Sequence, residues 1–570
     1  MPKRLAITIA GAVSLGSYEA GVLYEVLEAL RLHNTKYQDD EDRKIYIDVI
    51  TGASAGGMTA AMAAQRLLYD AGSLSGPETN IFYQAWVARI SLWSLVRMKW
   101  KENIWHSLFS SDLIESLGRQ LLPKPQEELK RNGGKTDVHP AIELARDATG
   151  NSIRGADGNL VTKPLWVGLA LTNLDGLDYG YPILEERTDK FQYTRCEDQL
   201  AREIAGPPVA TAKLWDELRE AAVASGAFPF AFRAKAIKRR RSEYPDTTLE
   251  GWPPHSTKEK TFTYTDGGVL QNQPIGLAKN LIDDLVGKRL AAGDTDAYND
   301  ADSRLYLFVS PHSLQSGVSA GFTAAKANFA RMTDELARTY VRQAEFQDWI
   351  TAEQLNQQVN ILDERAQQLA TALSGPSGIL DVAVLKTAAI QLATLLTGSD
   401  SARQARVQRL QTQYARLYSQ VLAMGADVAE AWVNSILTLE AAANLETRDT
   451  MNILAVMADG PRELAGAGLS SFAGFFSRRY REHDYTVGRN KARAYLAGPD
   501  VQKILGQIDV EPPNVPDPSK ITKLPLSRLR TLLVGSPALL WLAFWRTIRW
   551  WPSALLVLIL LGAVCWHFLR

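Results

Sequence analysis

The sequence predicts an α/β protein whose mostly parallel sheet is covered by helices on both faces, followed by an α-helical insertion and a C-terminal transmembrane helix. Three observations predict this class. Residues 1 to about 310 alternate short apolar runs with helical patterns, residues 320 to about 450 carry apolar residues at helical spacing, and residues 550–569 are almost entirely apolar. Strands that alternate with helices form right-handed βαβ units and a parallel sheet.

The composition limits the class of protein. The chain has 570 residues, which at roughly 150 residues per domain suggests three or four segments with separate roles. Hydrophobic residues make up 46% and charged residues 22%, which excludes wholesale disorder. Lys+Arg and Asp+Glu both number 63, so we expect no nucleic-acid partner. Cys196 and Cys565 lie far apart in the chain, which argues against a disulfide framework and a zinc site, and we expect neither metal nor cofactor.

The predicted strands begin near the amino terminus. The first, at residues 5–10, follows a basic start that superficially resembles a signal peptide. It is short and runs through a glycine loop into a charged helix at about 17–31, so we interpret it as a buried strand. Further strands are predicted at residues 45–50, 165–171, 261–264 and 305–309.

The insertion carries two seams of apolar residues spaced alternately four and three apart. The first seam is Leu355, Val359, Leu362, Ala366 and Leu369, and the second is Leu410, Tyr414, Leu417, Val421, Met424 and Val428. Such seams are typical of antiparallel helices around a common core, with breaks at residues 375–378 and 397–400. The insertion is either a helical subdomain packed on itself or a coiled coil that binds a protein partner or a second copy of the chain.

The carboxyl end has the features of a membrane anchor. Residues 509–525 form a Pro-rich, semi-rigid linker, and within 550–569 only His567 is strongly polar. A helix of this length spans about 30 Å, the thickness of a bilayer's hydrocarbon core, although a buried helix is the alternative. Basic residues precede this span and only Arg570 follows it. We therefore expect a single-pass tail anchor with the rest of the chain facing the cytoplasm.

The strongest chemical motif is Gly52-Ala53-Ser54-Ala55-Gly56, which lies between the second predicted strand and a helix. A strand–turn–helix context of this kind is a nucleophile elbow, in which Gly52 and Gly56 leave room for neighbouring backbone. The helix N-terminus beneath the serine also favours developing negative charge. A structural turn is the alternative, but the context favours Ser54 as a nucleophile.

A serine nucleophile needs a base. A Ser-His-Asp triad is disfavoured, because Ser54 follows only one earlier strand–helix unit and only His312, of seven histidines, follows a strand near the sheet edge. The better candidate is Asp266, at the end of a predicted strand. Gly267 and Gly268 follow it and leave its carboxylate accessible.

An oxyanion stabiliser is also required. The loop between the first strand and the first helix offers backbone N–H groups at a helix N-terminus, and the candidate donors are Gly11, Ala12, Val13 and Ser14. The loop lacks the lysine of a Walker motif and contains no GxGxxG, which argues against nucleotide binding.

Together these motifs resemble the patatin-like phospholipases. The resemblance lies in Gly16-Ser-Tyr-Glu-Ala-Gly-Val-Leu23, in the GxSxG motif, in Asp266-Gly-Gly-Val-Leu-Gln-Asn-Gln-Pro274, in Ala224-Ser-Gly-Ala-Phe-Pro229 and in Ala170-Leu-Thr-Asn-Leu174. It covers residues 1–310 well and residues 472–497 loosely, the latter being similar to a segment of some long bacterial members. The resemblance implies a three-layer α/β/α core and a Ser–Asp dyad without histidine, with Ser54 as nucleophile and Asp266 as base.

The glycine loop departs from the family's usual Gly-Gly-Gly-x-Arg/Lys-Gly pattern, because it reads Gly11-Ala-Val-Ser-Leu-Gly16. A position that needs a positive φ would not tolerate Val13 well, and Leu15 replaces a cation. We therefore expect slower catalysis or a different lipid head group.

Two further segments have open interpretations. Residues 82–105 contain Phe82, Trp86, Ile90, Trp93, Trp100 and Trp105, with basic residues between them. They form either a surface that enters lipid or a helix packed beside the active site. The run Lys238–Arg241 either meets anionic lipid or is a solvated loop.

These expectations divide the chain into a catalytic domain (1–315), a helical insertion (320–460), a helical segment that returns to the catalytic core (465–508), a linker (509–530) and a membrane anchor (531–570). The expected function is a lipid acyl hydrolase that cleaves fatty acyl esters of membrane lipids through an acyl-enzyme. The alternatives are acyl transfer to an acceptor other than water and a membrane-bound scaffold with a degenerate site.

Overall fold

The structure is a computed structural model that describes residues 2–96, 107, 109–182, 190–205, 208–229, 231–244, 249–250, 252, 259–291, 304–312, 332, 350, 356–373, 381–442, 451–460, 463–467, 471 and 473–512. These residues form two compact units. The first draws on Met1–Ala278, Leu305–Asp348 and Ile453–Arg570, and the second on Lys279–Arg304 and Trp349–Asn452. The predicted domain boundaries stay predictions.

The predicted membrane anchor at residues 550–569 lies outside the described residues, as do Trp100, Trp105 and the predicted break at 375–378. Within the described part of the chain, no helix combines the length and the apolar character that crossing a membrane requires.

The first unit is built on an eight-stranded sheet. Its strands are β1 (Lys3–Ile9), β2 (Ile45–Gly52), β3 (Leu165–Pro182), β4 (Lys190–Ile204), β5 (Lys235–Arg240), β6 (Glu259–Asp266), β7 (Arg304–Ser310) and β8 (Ile453–Met457). Their order is β5-β6-β3-β2-β1-β7-β8, and β4 pairs with β3 outside this path. Each of the five predicted strands coincides with one of these.

The sheet is mixed, so the prediction of a mostly parallel sheet is wrong. The pairs β1–β2, β2–β3 and β7–β8 are parallel, whereas β3–β4, β3–β6 and β5–β6 are antiparallel. The physical reason is that β4 follows β3 directly and pairs with it from Leu165 opposite Ile204 to Pro182 opposite Lys190, without a crossover helix between them.

The basic run that the sequence left open is not a solvated loop, because residues up to Arg240 belong to β5. Arg239 is almost completely buried and forms ion pairs with Asp198 and Glu243. Arg240 pairs with Glu217. These cations are therefore already neutralised within the protein.

The helices of the first unit are α1 (Gly16–Lys36), α2 (Ala55–Tyr69), α3 (Ile81–Tyr83, continued by a π-helical turn at Gln84–Arg89), α4 (Leu92–Val96), α5 (Ser111–Leu121), α6 (Pro125–Arg131), α7 (Pro208–Ser225), α14 (Arg478–Leu496) and α15 (Pro499–Leu505). Helix α8 (Ile275–Ala291) continues from the first unit into the second. Helices α2 and α7 pack on β3. The sheet and these helices share one hydrophobic core.

Helices α1 and α14 pack at very short range. An added Cβ at Gly21 would lie 2.0 Å from a backbone oxygen of α14, and one at Gly488 would lie 2.1 Å from a backbone oxygen of α1. Only glycine permits this approach of the two backbones. Glu25 of α1 accepts hydrogen bonds from Arg489 (2.9 Å) and Arg493 (2.6 Å) of α14. The segment that follows the insertion is thus an integral part of the first unit.

The second unit is a helical bundle. It contains residues 356–373 (α9), α10 (Val382–Thr397), α11 (Asp400–Gln413), α12 (Ala415–Leu422) and α13 (Ala426–Ala442). Trp432 is completely buried and its indole N–H donates to the backbone oxygen of Ala366 (2.9 Å). Most described seam residues pack inside this unit, whereas Met424 is 39% exposed. The seams therefore support a helical subdomain packed on itself.

Replacing Gly488 by alanine is expected to destabilise the protein, because the added methyl group has no room beside the backbone of α1. Overpacking of this kind costs roughly 1–3 kcal/mol. The matched control is Gly287→Ala in α8, where an added Cβ meets no atom within 4 Å and the helix gains propensity. Chemical denaturation of both variants measures the difference, and equal stability of the two would show that α1 and α14 do not approach this closely.

Candidate active site

Ser54 occupies a strained turn between β2 and α2. Its backbone has φ 54° and ψ −126°, a conformation that L-residues rarely adopt and that costs of order 1–3 kcal/mol. The Ala53 N–H donates to Ile9 O (3.1 Å), and the Ser54 N–H donates to Ser225 Oγ (2.9 Å). Strain that is held by its surroundings in this way is a feature of nucleophile elbows.

The two glycines of the motif are required by close contacts on either side of Ser54. An added Cβ at Gly56 would lie 2.3 Å from the backbone oxygen of Ala10, and one at Gly52 would lie 2.4 Å from the backbone oxygen of Gly56. The turn therefore presses directly against the end of β1. Both glycines therefore leave room for neighbouring backbone.

The structure brings Ser54 and Asp266 together. The Ser54 hydroxyl donates to Asp266 Oδ2 at 2.6 Å, and the Gly268 N–H donates to Asp266 Oδ1 at 2.7 Å. Gly267 supports the same turn, because an added Cβ there would lie 2.0 Å from the backbone oxygen of Ala170. A hydroxyl hydrogen-bonded to a carboxylate is the arrangement in which a base can take the proton of a nucleophile.

Burial raises the pKa of Asp266 to about 7, although the hydrogen bonds from Ser54 and Gly268 oppose this shift. The side chain is 1% exposed, so its charged form loses nearly all contact with water. A carboxyl group with a pKa near neutrality is a stronger base than an exposed aspartate. General-base catalysis is most effective when the pKa lies near the operating pH.

Ser225 is a site residue to which sequence reasoning gave no role. Its hydroxyl accepts from the Ser54 N–H and donates to the backbone oxygen of Ala170 (2.8 Å) on β3. It therefore ties the serine turn to the central strand and satisfies an amide that the strained turn leaves without a helical partner. The sequence could have pointed to Ser225, because this residue lies in one of the segments that carry the family resemblance.

The glycine loop lies beside Ser54, but its four predicted oxyanion donors differ in the hydrogen bonds that they already form. The Gly11 N–H is already bonded to the backbone oxygen of Asn272 (2.9 Å). Among the described residues, the N–H groups of Ala12 and Val13 meet no hydrogen-bond acceptor. The Ser14 hydroxyl accepts from the Gly474 N–H (3.1 Å). Gly11 is therefore removed from the candidate oxyanion donors, and the backbone N–H groups of Ala12, Val13 and Ser14 remain candidates.

Val13 has φ 52°, a conformation that favours glycine. A β-branched residue is strained there, because its side chain crowds the adjacent carbonyl. Val13 therefore lies at a position that needs a positive φ, and the expectation that such a position holds valine poorly stays a prediction. Valine replaces the family's glycine at this position, but the backbone keeps the conformation that favours glycine.

An apolar cavity of about 490 Å³, open mouth included, adjoins Ser54. It is lined by Val13, Ser54, Ala55, Met58, Trp86, Ile90, Leu95, Ile114, Gly226, Phe228, Phe232 and Phe475. The Trp86 indole N–H donates to Thr59 Oγ1 (2.9 Å), which fixes the orientation of its ring. Because Trp86, Ile90 and Leu95 line the cavity, the described part of the Trp-rich segment packs beside the site. A cavity of this character suits a hydrocarbon chain.

In the part of the chain that the structure describes, neither a histidine base beside Ser54 nor a metal-binding cluster is present. No histidine there is hydrogen-bonded to Ser54 or Asp266, and the His312 N–H donates to Ser310 Oγ (3.2 Å). Within the same residues, no group of histidine, cysteine and acidic side chains has the arrangement of a metal site.

The geometry defines a serine–aspartate site next to an apolar cavity. Residues 7–279 match the model of the family described as patatin-like phospholipase. The chain therefore contains a patatin-like phospholipase domain, of the general class of lipid acyl hydrolases. No curated protein matches the chain. The matched residues include Ser54, Asp266 and the glycine loop, and they end before the segment that contributes Phe475 to the cavity.

Because Val13 is strained, we expect its glycine and alanine variants to invert the usual order of stability, in which alanine is the more stable. Glycine is normally less stable than alanine in a folded backbone by roughly 0.5–1 kcal/mol, because it loses more conformational entropy. At φ 52° alanine keeps the strain and glycine does not, so Val13→Gly should be at least as stable as Val13→Ala. Urea denaturation compares the two variants. A clearly more stable Val13→Ala would show that the loop relaxes to a negative φ.

The buried carboxylate predicts a pH-dependent gain of stability in Asp266→Asn. Because the pKa of Asp266 is about 7 in the folded protein and 3.8 for an ordinary aspartate, the contribution of Asp266 to wild-type stability falls as the pH rises from about 4 through about 7. Asparagine fits the same hydrogen bonds, with its amide donating to Ser54. The variant should therefore exceed wild type by a few kcal/mol at about pH 8, on a scale of about 1.4 kcal/mol per pKa unit, and by little at about pH 4. A constant difference between about pH 4 and pH 8 would contradict the raised pKa.

Proposed function

We propose that this protein hydrolyses fatty acyl esters of lipids with Ser54 as nucleophile and Asp266 as base, through an acyl-enzyme. The observation that carries the proposal is the 2.6 Å hydrogen bond between Ser54 and Asp266 beside an apolar cavity. The cavity holds the acyl chain, which places the ester carbonyl at the Ser54 hydroxyl.

In the first half of the reaction, Ser54 Oγ attacks the ester carbonyl and its proton passes to Asp266 Oδ2. The tetrahedral oxyanion receives hydrogen bonds from among the backbone N–H groups of Ala12, Val13 and Ser14 and is favoured by the N-terminus of α2. When the intermediate collapses, the alcohol leaves with the proton from Asp266. The acyl group remains on Ser54.

In the second half, Asp266 accepts a proton from water as that water attacks the acyl carbonyl. The second tetrahedral intermediate collapses, Ser54 recovers its proton from Asp266, and the fatty acid is released. One aspartate serves both halves because its buried carboxyl can exist in either protonation state near neutral pH.

The proposed substrate is a membrane lipid. The apolar lining supports an acyl chain but leaves the head group open. In this proposal the apolar carboxyl-terminal stretch at 550–569 anchors the chain, with the catalytic domain on the cytoplasmic side, so that lipid reaches the site without crossing water.

Ser54→Ala and Asp266→Asn are each expected to remove nearly all ester hydrolysis, because one lacks the nucleophile and the other lacks the base. Release of p-nitrophenol from a short-chain ester measures turnover, and a fluorophosphonate probe reports the reactivity of the serine independently of any acyl chain. His312→Ala is the control and should retain both signals.

Retained turnover in Asp266→Asn together with its loss in His312→Ala would transfer the role of base to histidine. If wild type is labelled by the probe but hydrolyses no ester, transfer of the acyl group to an acceptor other than water becomes the better function. Absence of labelling in wild type would show a degenerate site.

A further inference from the structure

A short turn that follows the helical bundle in sequence lines the cavity next to Ser54. Residues Ala473–Phe476 form a 3₁₀ turn directly before α14. Phe475 is 6% exposed and lines the same cavity as Ser54. It lies far outside residues 7–279, so the matched domain does not include this wall of its own cavity.

The turn is held against the glycine loop. The Gly474 N–H donates to the Ser14 hydroxyl at 3.1 Å, and that hydroxyl donates to the backbone oxygen of Ser471. Ser14 directly follows Val13, whose N–H is a candidate oxyanion donor and whose side chain also lines the cavity. The wall that contains Phe475 is therefore fixed relative to the reacting atoms.

Arg481 of α14 fixes the same turn from a second direction. Its guanidinium donates from Nη1 to the backbone oxygen of Gly474 (2.8 Å) and from Nε to the backbone oxygen of Val87 (3.0 Å). Val87 directly follows Trp86, which lines the cavity. Arg481 is 3% exposed, so it joins the turn and the Trp86 wall inside the protein.

We propose that Phe475 selects the acyl chain that Ser54 accepts. This inference rests on the proposed function. A cavity wall that is hydrogen-bonded on two sides has little freedom to move aside, so the volume of the Phe475 ring limits the length of hydrocarbon that the cavity can bury. Each additional methylene group that is buried is worth about fourfold in kcat/KM, the equivalent of about 0.8 kcal/mol.

Substitutions at Phe475 should therefore shift chain-length preference in opposite directions. In the full-length protein, kcat/KM is measured with p-nitrophenyl butyrate, octanoate and palmitate. Phe475→Ala should raise the palmitate-to-butyrate ratio about fifteenfold, the gain from burying roughly two more methylene groups, and Phe475→Trp should lower it. Phe475→Leu tests the same direction as Phe475→Ala with less risk to folding.

The matched control is Phe476→Ala, because Phe476 is the neighbouring aromatic residue and packs on the core without lining the cavity. It should leave the ratio unchanged even where it lowers stability. The inference is overturned if the Phe475 variants change all three esters by one factor, or if Phe476→Ala shifts the ratio as much. A wild-type protein that is neither labelled by a fluorophosphonate nor active on any ester instead overturns the proposed function, and the inference with it.

Discussion

The contact between Ser54 and Asp266 depends on the strand that separates them. Strand β3 pairs in parallel with β2, where Gly52 is opposite Leu169, and antiparallel with β6, where Asp266 is opposite Leu171. Two strands that run in opposite directions therefore end at the same short stretch of β3. Ser225 bonds to the intervening residue of that stretch, Ala170. The strained serine turn and the buried aspartate are thus positioned by one piece of backbone.

Burial has two chemical consequences at this position. It raises the pKa of Asp266 towards neutrality, and it leaves the neighbouring cavity apolar on almost every side. The first effect makes the carboxyl a better base, and the second favours hydrocarbon over water next to the nucleophile. The buried carboxylate and the strained serine also reduce stability locally, because each of them costs free energy. The surrounding core must compensate for them.

The sequence predicted the structure correctly where a local pattern is typical of one local geometry. GxSxG between a strand and a helix predicted the turn at Ser54, and a strand ending in Asp266-Gly-Gly predicted the partner carboxyl. It was uninformative for β4 and β5, whose polar and charged residues hide the two-residue period that identifies a strand. The sequence could not predict that Phe475 lines the cavity, for a different reason. Ser14 and Ser471 are 457 positions apart, and no local pattern encodes a contact at that separation.

The return of the chain after the bundle has a consequence for the order of events during synthesis. The residues of the dyad and the glycine loop leave the ribosome early, whereas α14, which covers the glycine face of α1, is made only after the bundle. At roughly 5–20 residues per second, the stretch between α8 and α14 takes roughly ten to forty seconds to synthesise. During this interval the nascent chain holds Ser54 and Asp266 while α1 lacks its partner and the cavity lacks one wall. The site can therefore be completed only after the bundle has been translated.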